Sequence, residues 1–343
     1  MLQIRPFRFV AAFLRRTSGY CAKDSSRGSP HIFVKDIYDI VSDFENEPAT
    51  PVAMATLVRV QGSSYRRPGA RLLICPNGRT VGSLSGGCIE EEIALRARSV
   101  LESGDPLLID FDTRRQFGCH GKIDILIERL DVAVLRALAS QLSKRQCCTL
   151  TTVFAGAGTA LGTQVGEMIG VESANVLVQN VQPPTRLLIF GEGPDSGPLR
   201  KLCSILGWQV VDFAHPESAA LKIDEWTAAI VKSHNFGRDF AALAKLLPLN
   251  LRYVGLVGPK KRRDELLSEL LQIDVPMNAG FFAPAGLDLN AETPEEIALS
   301  VVSEIQCVFA DGSGKSLRDR KQPIHCRPIS PLEQTPGWQR LPP

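Results

Sequence analysis

No stretch of this chain approaches the roughly 20 consecutive apolar residues needed to span a bilayer, so the sequence offers no transmembrane helix. Nor does it carry a strong charge of one sign. Its 39 lysines and arginines stand against 37 aspartates and glutamates, a formal charge of +2. That removes the basic bias expected where nucleic acid is the main partner. No Cys-X-X-Cys pair occurs, which excludes a zinc knuckle and a thioredoxin-type site. The nine cysteines are odd in number and irregular in spacing, unlike a secretory disulfide framework, so reduced thiols in a cytoplasmic protein are expected. Acid is scarce in residues 1–30: Asp24 alone faces Arg5, Arg8, Arg15, Arg16, Lys23 and Arg27. Arg and Ser with almost no acid is the composition of a transit peptide. The segment lacks periodic apolar residues, and a disordered extension is the reading adopted.

What is present is led by Gly82-Ser83-Leu84-Ser85-Gly86-Gly87-Cys88-Ile89-Glu90-Glu91-Glu92. Gly86 and Gly87 open backbone conformations closed to other residues. Ile89, Ile93 and Ala97 then recur at helical spacing, with acids where they favour a helix start. A thiol at a helix N-terminus lies near unpaired N–H groups and the positive end of the helix dipole, which stabilise the thiolate. The same geometry cradles anions. Ser85, Gly86, Gly87 and Cys88 are therefore candidates for holding a soft metal, an anionic cofactor, or both. The competing reading is a buried structural cysteine in a tight turn.

A second cysteine is also flanked by glycines, in Phe117-Gly118-Cys119-His120-Gly121, ahead of a strand over residues 122–128. Cys119 stands at a strand entrance on a loop that permits close approach of a ligand. His120 reads as a turn residue more readily than as a ligand. The adjacent Cys147 and Cys148 precede a strand and read as packing.

The chain is long enough for two domains, and Gln182-Pro183-Pro184-Thr185 marks the break. The expected fold is α/β: a mixed α+β N-terminal domain, then a Rossmann-like doubly wound parallel-sheet domain. The first spans residues 31–182, with a helix over 34–44, strands over 52–60, 71–74, 106–111 and 122–128, and a helix capped by Asp131. The loop with Ser63, Ser64, Arg66 and Arg67 reads as a phosphate contact or a solvated turn. In the second domain, residues 185–311, the strand 186–190 runs into Gly191-Glu192-Gly193-Pro194-Asp195-Ser196. This is a dinucleotide-type turn with Ser196 at the third glycine. Asp212, about 20 residues on, is placed for a ribose hydroxyl. Strand 228–231 delivers His234 to the edge where such sheets bind ligands. Strand 253–258 precedes a basic helix start. Residues 312–343 read as an irregular tail.

Together these segments carry a resemblance. GSLSGGCIEEEI, FGCHGKIDILIE, LLIFGEGPDSGPL, YVGLVGPKKRR and PAGLDLNAETPEEIALSVVSEI occur in the order seen in the XdhC/CoxI family, over about residues 34–310. That family comprises accessory factors for molybdenum hydroxylases such as xanthine dehydrogenase. The resemblance implies binding of molybdenum cofactor (molybdopterin), support for its sulfuration by a cysteine desulfurase, and delivery to an apo molybdenum hydroxylase. It implies a maturation factor rather than a turnover enzyme. The family's loop cysteines carry over to Cys88 and Cys119, which would be the metal ligands. Its second loop often reads Cys-Gly-Gly, with His120 here in the middle position. Its Gly-Ser-Arg-Arg segment reads Gly258-Pro259-Lys260-Lys261. Thiolate suits a soft metal, and glycine amides suit phosphate or oxo groups. A nucleotide in the Rossmann-like domain, held through Gly191, Gly193, Asp212 and His234, extends that reading. A homodimer is among the assemblies left open. The alternative is an NAD(P)-dependent oxidoreductase acting on a small molecule.

Overall fold

The structure, a computed structural model, describes residues 35–48, 50–62, 64–87, 89–112, 121–156, 160–166, 175–215 and 223–321. The chain divides into two units. One is built mainly from Pro30–Arg186, the other mainly from Leu187–Arg200 and Val210–Gly314.

In the first unit, α1 (Lys35–Asn46) leads into β1 (Val52–Gly62), β2 (Arg71–Ile74) and β3 (Thr80–Gly82). Then come α2 (Glu90–Ser103), β4 (Leu107–Asp112), β5 (Gly121–Leu130) and α3 (Val132–Ser143). The five strands form one antiparallel sheet in the order β3-β2-β1-β5-β4. Alternation along β1 builds two cores, because successive strand side chains point to opposite faces. Ala53, Ala55 and Leu57 meet Leu72, Ile74, Ile125 and Ile127 beneath Ile93, Ala97 and Val100 of α2. Val52 and Met54 meet Leu73 and Leu130 on the other face, against Ile40 and Phe44 of α1 and Leu135 of α3. Cys75-Pro76-Asn77-Gly78 makes a hairpin turn between β2 and β3, with the Gly78 N–H donating to the Cys75 carbonyl. The Asp131 carboxylate caps α3 through the Ala133 N–H at 2.8 Å.

A second antiparallel sheet consists of β6 (Cys148–Val153), β7 (Gly162–Val165) and β8 (Val176–Val181), in the order β7-β6-β8. The strand β8 is an addition to the sequence reading. Arg71, only 2% exposed, joins the two sheets. Its guanidinium donates to Oγ1 of Thr56 (2.9 Å), Thr152 (3.1 Å) and Thr163 (3.3 Å) and to Oε1 of Gln179 (3.4 Å). Buried Glu128 accepts from the Thr163 N–H (2.7 Å) and hydroxyl (2.5 Å). Burial holds Arg71 down to about 10 against the pull of Glu128. Burial likewise raises Glu128 despite the Thr163 hydrogen bonds and the charge of Arg71. Removing either member of such a network strands the other without a counter-charge.

The second unit contains β9 (Arg186–Phe190), α4 (Ser196–Ile205), β10 (Gln209–Phe213), β11 (Thr227–Val231) and α5 (Phe236–Leu246). It continues with β12 (Tyr253–Leu256), α6 (Lys260–Gln272), β13 (Phe281–Phe282) and α7 (Pro294–Phe309). The sheet runs β10-β9-β11-β12-β13, with β11–β12 and β12–β13 parallel. This is the expected doubly wound arrangement, and chain order reverses between β9 and β11, the usual ligand crevice of such sheets. Its core joins Leu188, Phe190, Ala229, Val231, Val254 and Leu256 to apolar faces of α5 and α6. The sequence reading did not name α5, β13 or α7. The last of these starts with a capping box: Thr293 and Glu296 satisfy each other's backbone N–H groups, and Pro294 stands in the first turn.

Candidate functional site

The loop between β3 and α2 is organised around one carboxylate. Five backbone N–H groups donate to Glu90: Leu84 (3.0 Å), Ser85 (2.8 Å), Gly86 (3.2 Å), Gly87 (3.0 Å) and Ile89 (3.1 Å). The hydroxyls of Ser83 (3.0 Å) and Ser85 (2.7 Å) complete the set. Positive φ at Gly86 (+85°) and Gly87 (+116°) turns these amides inward. Burial by itself would raise the Glu90 carboxyl. The donors from Ser85, Leu84 and the loop overcome this and hold it at about 2. The loop is thus an anion cradle, as the sequence suggests, but the amides of Ser85, Gly86 and Gly87 face the chain's own Glu90. Helix α2 starts at Glu90, with no side-chain cap from Ile89.

Cys88, Cys119 and His120 lie outside the described residues, but the strands that flank them are placed. Leu72 pairs with Gly82, so β3 ends at the start of β2. Leu72 in turn pairs with Ala55, so Gly82 lies level with the first half of β1. At the end of β1, Gly62 pairs with Gly121, the first residue of β5, and the neighbouring pair Asp112–Lys122 closes β4. Strand β3 runs parallel to β1 and β5 antiparallel to it, so both cysteine-bearing connections lie on the side of their strands towards Gly62. They are staggered from the level of Ala55 to that of Gly62, roughly 20 Å along the strands. Their flanking strands β3 and β5 are three strand spacings apart, about 14 Å. Among the described residues, no three His, Cys, Asp or Glu side chains converge as a metal site.

The loop between β1 and β2 lies on that same side. Tyr65 in it is exposed and lies over Gly86, where an added Cβ would come within 3.2 Å of its ring. Arg66, a phosphate candidate by sequence, pairs instead with Asp36 of α1. Burial raises Asp36 despite that guanidinium. Ser63 lies outside the described residues.

In the second unit the glycine turn after β9 is also filled from within. A Cβ on Gly191 would sit 2.6 Å from the Ser233 backbone, so this glycine lets the β9 and β11 ends approach. A Cβ on Gly193 would sit 2.5 Å from Oδ1 of Asp195. Asp195 binds the Nζ of Lys232 at 2.8 Å, and Nε2 of His234 lies 3.6 Å from its other oxygen. Burial raises the Asp195 carboxyl, but Lys232 and His234 outweigh it and hold it below its ordinary value. Asp212 does not stand free at the end of β10: Arg200 grips it with two hydrogen bonds, at 3.0 and 2.9 Å. A ribose hydroxyl would compete with that grip. The structure brings Gly191, Gly193 and His234 together around Asp195 and Lys232, neither of which the sequence reading assigned a role. For Lys232 the available signal is a lysine directly after five buried strand residues.

Comparison with known proteins accords with this architecture. The family model described as “XdhC and CoxI family” matches residues 47–112, and the one described as “XdhC Rossmann domain” matches residues 187–305. A Bacillus subtilis protein, named as a probable subunit of xanthine dehydrogenase, is 29% identical, over 76% of this chain and 93% of that protein. An Escherichia coli protein named “Molybdenum cofactor insertion chaperone PaoD” is 26% identical, over 74% of this chain and 82% of that protein. A crystal structure described as a xanthine dehydrogenase from Bacillus halodurans superposes with a TM-score of 0.68 at 25% identity, covering 83% of this chain and 97% of that one. With both family regions matched in order, one on the cysteine-bearing sheet and one on the parallel sheet, the chain belongs to the XdhC and CoxI family.

Proposed function

We propose that this chain is a maturation factor for a molybdenum hydroxylase of the xanthine dehydrogenase or aldehyde oxidase type. It binds molybdenum cofactor, supports its sulfuration by a cysteine desulfurase, and delivers it to the apo-enzyme. The observation that carries this reading is topological: the connections bearing Cys88 and Cys119 run out of one sheet in the same direction, towards the Gly62 end of β1. The names of the Bacillus subtilis and Escherichia coli relatives support it. Thiolates at Cys88 and Cys119 match a soft metal centre. When bound, the cofactor supplies the metal and dithiolene on which hydroxylation depends. The roles of Ser85, Gly86 and Gly87 are indirect, since Glu90 holds their loop in one shape and leaves the cysteine to contact the cofactor.

The cysteine-bearing domain comprises residues 31–182 and the Rossmann-like domain residues 185–311. In the latter, Gly191, Gly193, His234 and Asp212 surround a nucleotide site, Asp212 only when Arg200 yields. Buried free thiols at Cys75, Cys148 and Cys203 suit the reducing cytoplasm. No helix among the described residues is long and apolar enough to cross a membrane. A homodimer is a further assembly of this reading.

The test is purification of the full chain from molybdenum-replete cells, followed by metal analysis and pterin fluorescence. The chain should carry molybdenum and pterin near one equivalent and activate an apo-hydroxylase in a reconstitution mixture. Turnover with NAD(H) and a small substrate, with neither molybdenum nor pterin bound, would replace this reading with a dehydrogenase.

A further inference from the structure

Three loops meet at the carboxyl ends of neighbouring strands β9, β11 and β12, beside the point where chain order reverses. Their charges are sorted. The loop after β9 carries Glu192 and Asp195. The loop after β11 carries Lys232 and His234. The helix after β12 opens on Lys260, Lys261, Arg262 and Arg263, with no acid in its first turn. A helix start favours acids, so four basic residues there reinforce the positive end of the dipole instead of offsetting it.

A continuous polar network ties these loops together. Arg262 holds the buried carboxylate of Asp239 at 2.5 Å. Asp239 accepts from the Ser233 N–H (3.0 Å) and hydroxyl (2.5 Å). Ser233 stands between Lys232 and His234, which both face Asp195. Arg263 is engaged by Asp264 and the Ala283 carbonyl. Lys260 is exposed and has no ion-pair partner among the described residues.

The side chain of Lys232 is 1% exposed, that of Asp195 is 28% exposed and that of His234 is 63% exposed. The ammonium is fixed at the floor of the crevice, while the carboxylate over it borders solvent. A buried ion pair is weak evidence for stability, because desolvation offsets its attraction. Here the pair sits beside Gly193, whose missing side chain leaves room for the Asp195 carboxylate and, 3.8 Å from the Cβ position, the Lys232 Nζ. The carboxylate is an oxyanion already seated in the site, one oxygen on Lys232 and one towards His234.

We propose that this crevice binds a phosphate-bearing ligand through Lys232, His234 and Lys260, and that Asp195 is a built-in counter-ion which the ligand phosphate displaces. The anion-binding character has moved from the glycine turn, which is acidic here, to the ends of β11 and β12. This proposal extends the nucleotide part of the reading above and does not depend on molybdenum.

Calorimetry on the full chain with inorganic pyrophosphate and with adenosine diphosphate tests it. Pyrophosphate should bind saturably. Asp195→Asn should tighten it about threefold or more by removing the competing charge, and Lys232→Met should weaken it about tenfold, the worth of a charge-assisted hydrogen bond. Lys260→Ala should weaken it about threefold at an unchanged melting temperature, which keeps the test decisive if Lys232→Met fails to fold. Absence of saturable pyrophosphate binding, or binding indifferent to Asp195→Asn and Lys260→Ala, overturns the proposal. Adenosine diphosphate binding that survives every substitution keeps the nucleotide reading but overturns this placement. Pyrophosphate binding in the stated order without adenosine diphosphate binding keeps the site and removes the nucleotide.

Discussion

Ser85 gives Glu90 both its backbone N–H, at 2.8 Å, and its hydroxyl, at 2.7 Å. The acid that reads in sequence as an ordinary helix-start charge is thus the centre of the loop before it. That arrangement ties the backbone of Leu84, Ser85, Gly86 and Gly87 to the start of α2.

Because the Glu90 carboxyl is held at about 2, below its ordinary 4.5, the stabilisation it lends is complete above about pH 4.5 and is lost as pH falls through about 2. Hydrogen exchange should show protected amides at Leu84, Ser85, Gly86, Gly87 and Ile89 at pH 5 that open on acidification before the strands do. Glu90→Gln should expose the same amides at pH 7 and cost on the order of 2 kcal/mol, the scale of hydrogen bonds to a charged group. Unchanged exchange in Glu90→Gln would mean that the loop holds its shape without the carboxylate.

Arg71→Met should destabilise the chain by about 3–5 kcal/mol, although methionine suits the neighbouring apolar positions, because Glu128 stays buried without its counter-charge. Adding Glu128→Gln should recover part of that loss, so the double variant falls short of the sum of the singles. Urea unfolding of the four proteins gives the coupling directly. Strict additivity would show that Arg71 and Glu128 do not act through their shared partner, Thr163.

Gly191→Ala should cost more than about 1 kcal/mol, since the added Cβ meets the Ser233 backbone in a left-handed conformation. Gly78→Ala, also at positive φ but facing open space, should cost only about 1 kcal/mol. Paired melting curves separate steric closure from backbone strain. Equal losses would remove the steric part of the argument.

Arg200→Ala should release Asp212 and strengthen binding of a ribonucleotide relative to its 2′-deoxy counterpart by about threefold, the worth of one hydrogen bond. No change in that ratio would show that Asp212 serves only to hold α4 against β10.

Strands were the most legible part of the sequence. Val52 to Val58 and Ile123 to Ile127 alternate between two covered faces, and the apolar runs of β9 and β11 are buried throughout. The short strand β8 follows a stretch without clear periodicity and escaped notice. The Rossmann-like turn was legible as a pattern, but its occupant was not. Asp195 reaches Lys232 across 37 positions of sequence, and no local spacing encodes that meeting. Arg71 escaped for the same reason: its partners Thr56, Thr152, Thr163 and Gln179 come from four strands. Glu90 misled because a side chain that curls back onto its own loop leaves no periodic trace.

The central claim concerns Cys88. The full chain and the variants Cys88→Ala, Cys119→Ala and Cys307→Ala should be purified from molybdenum-replete cells and assayed for molybdenum per chain. Cys88→Ala should melt with the parent yet retain much less metal, Cys119→Ala should lose less, and Cys307→Ala should match the parent. Molybdenum in Cys88→Ala equal to that of the parent would contradict the account and reduce the loop to a structural turn closed on Glu90.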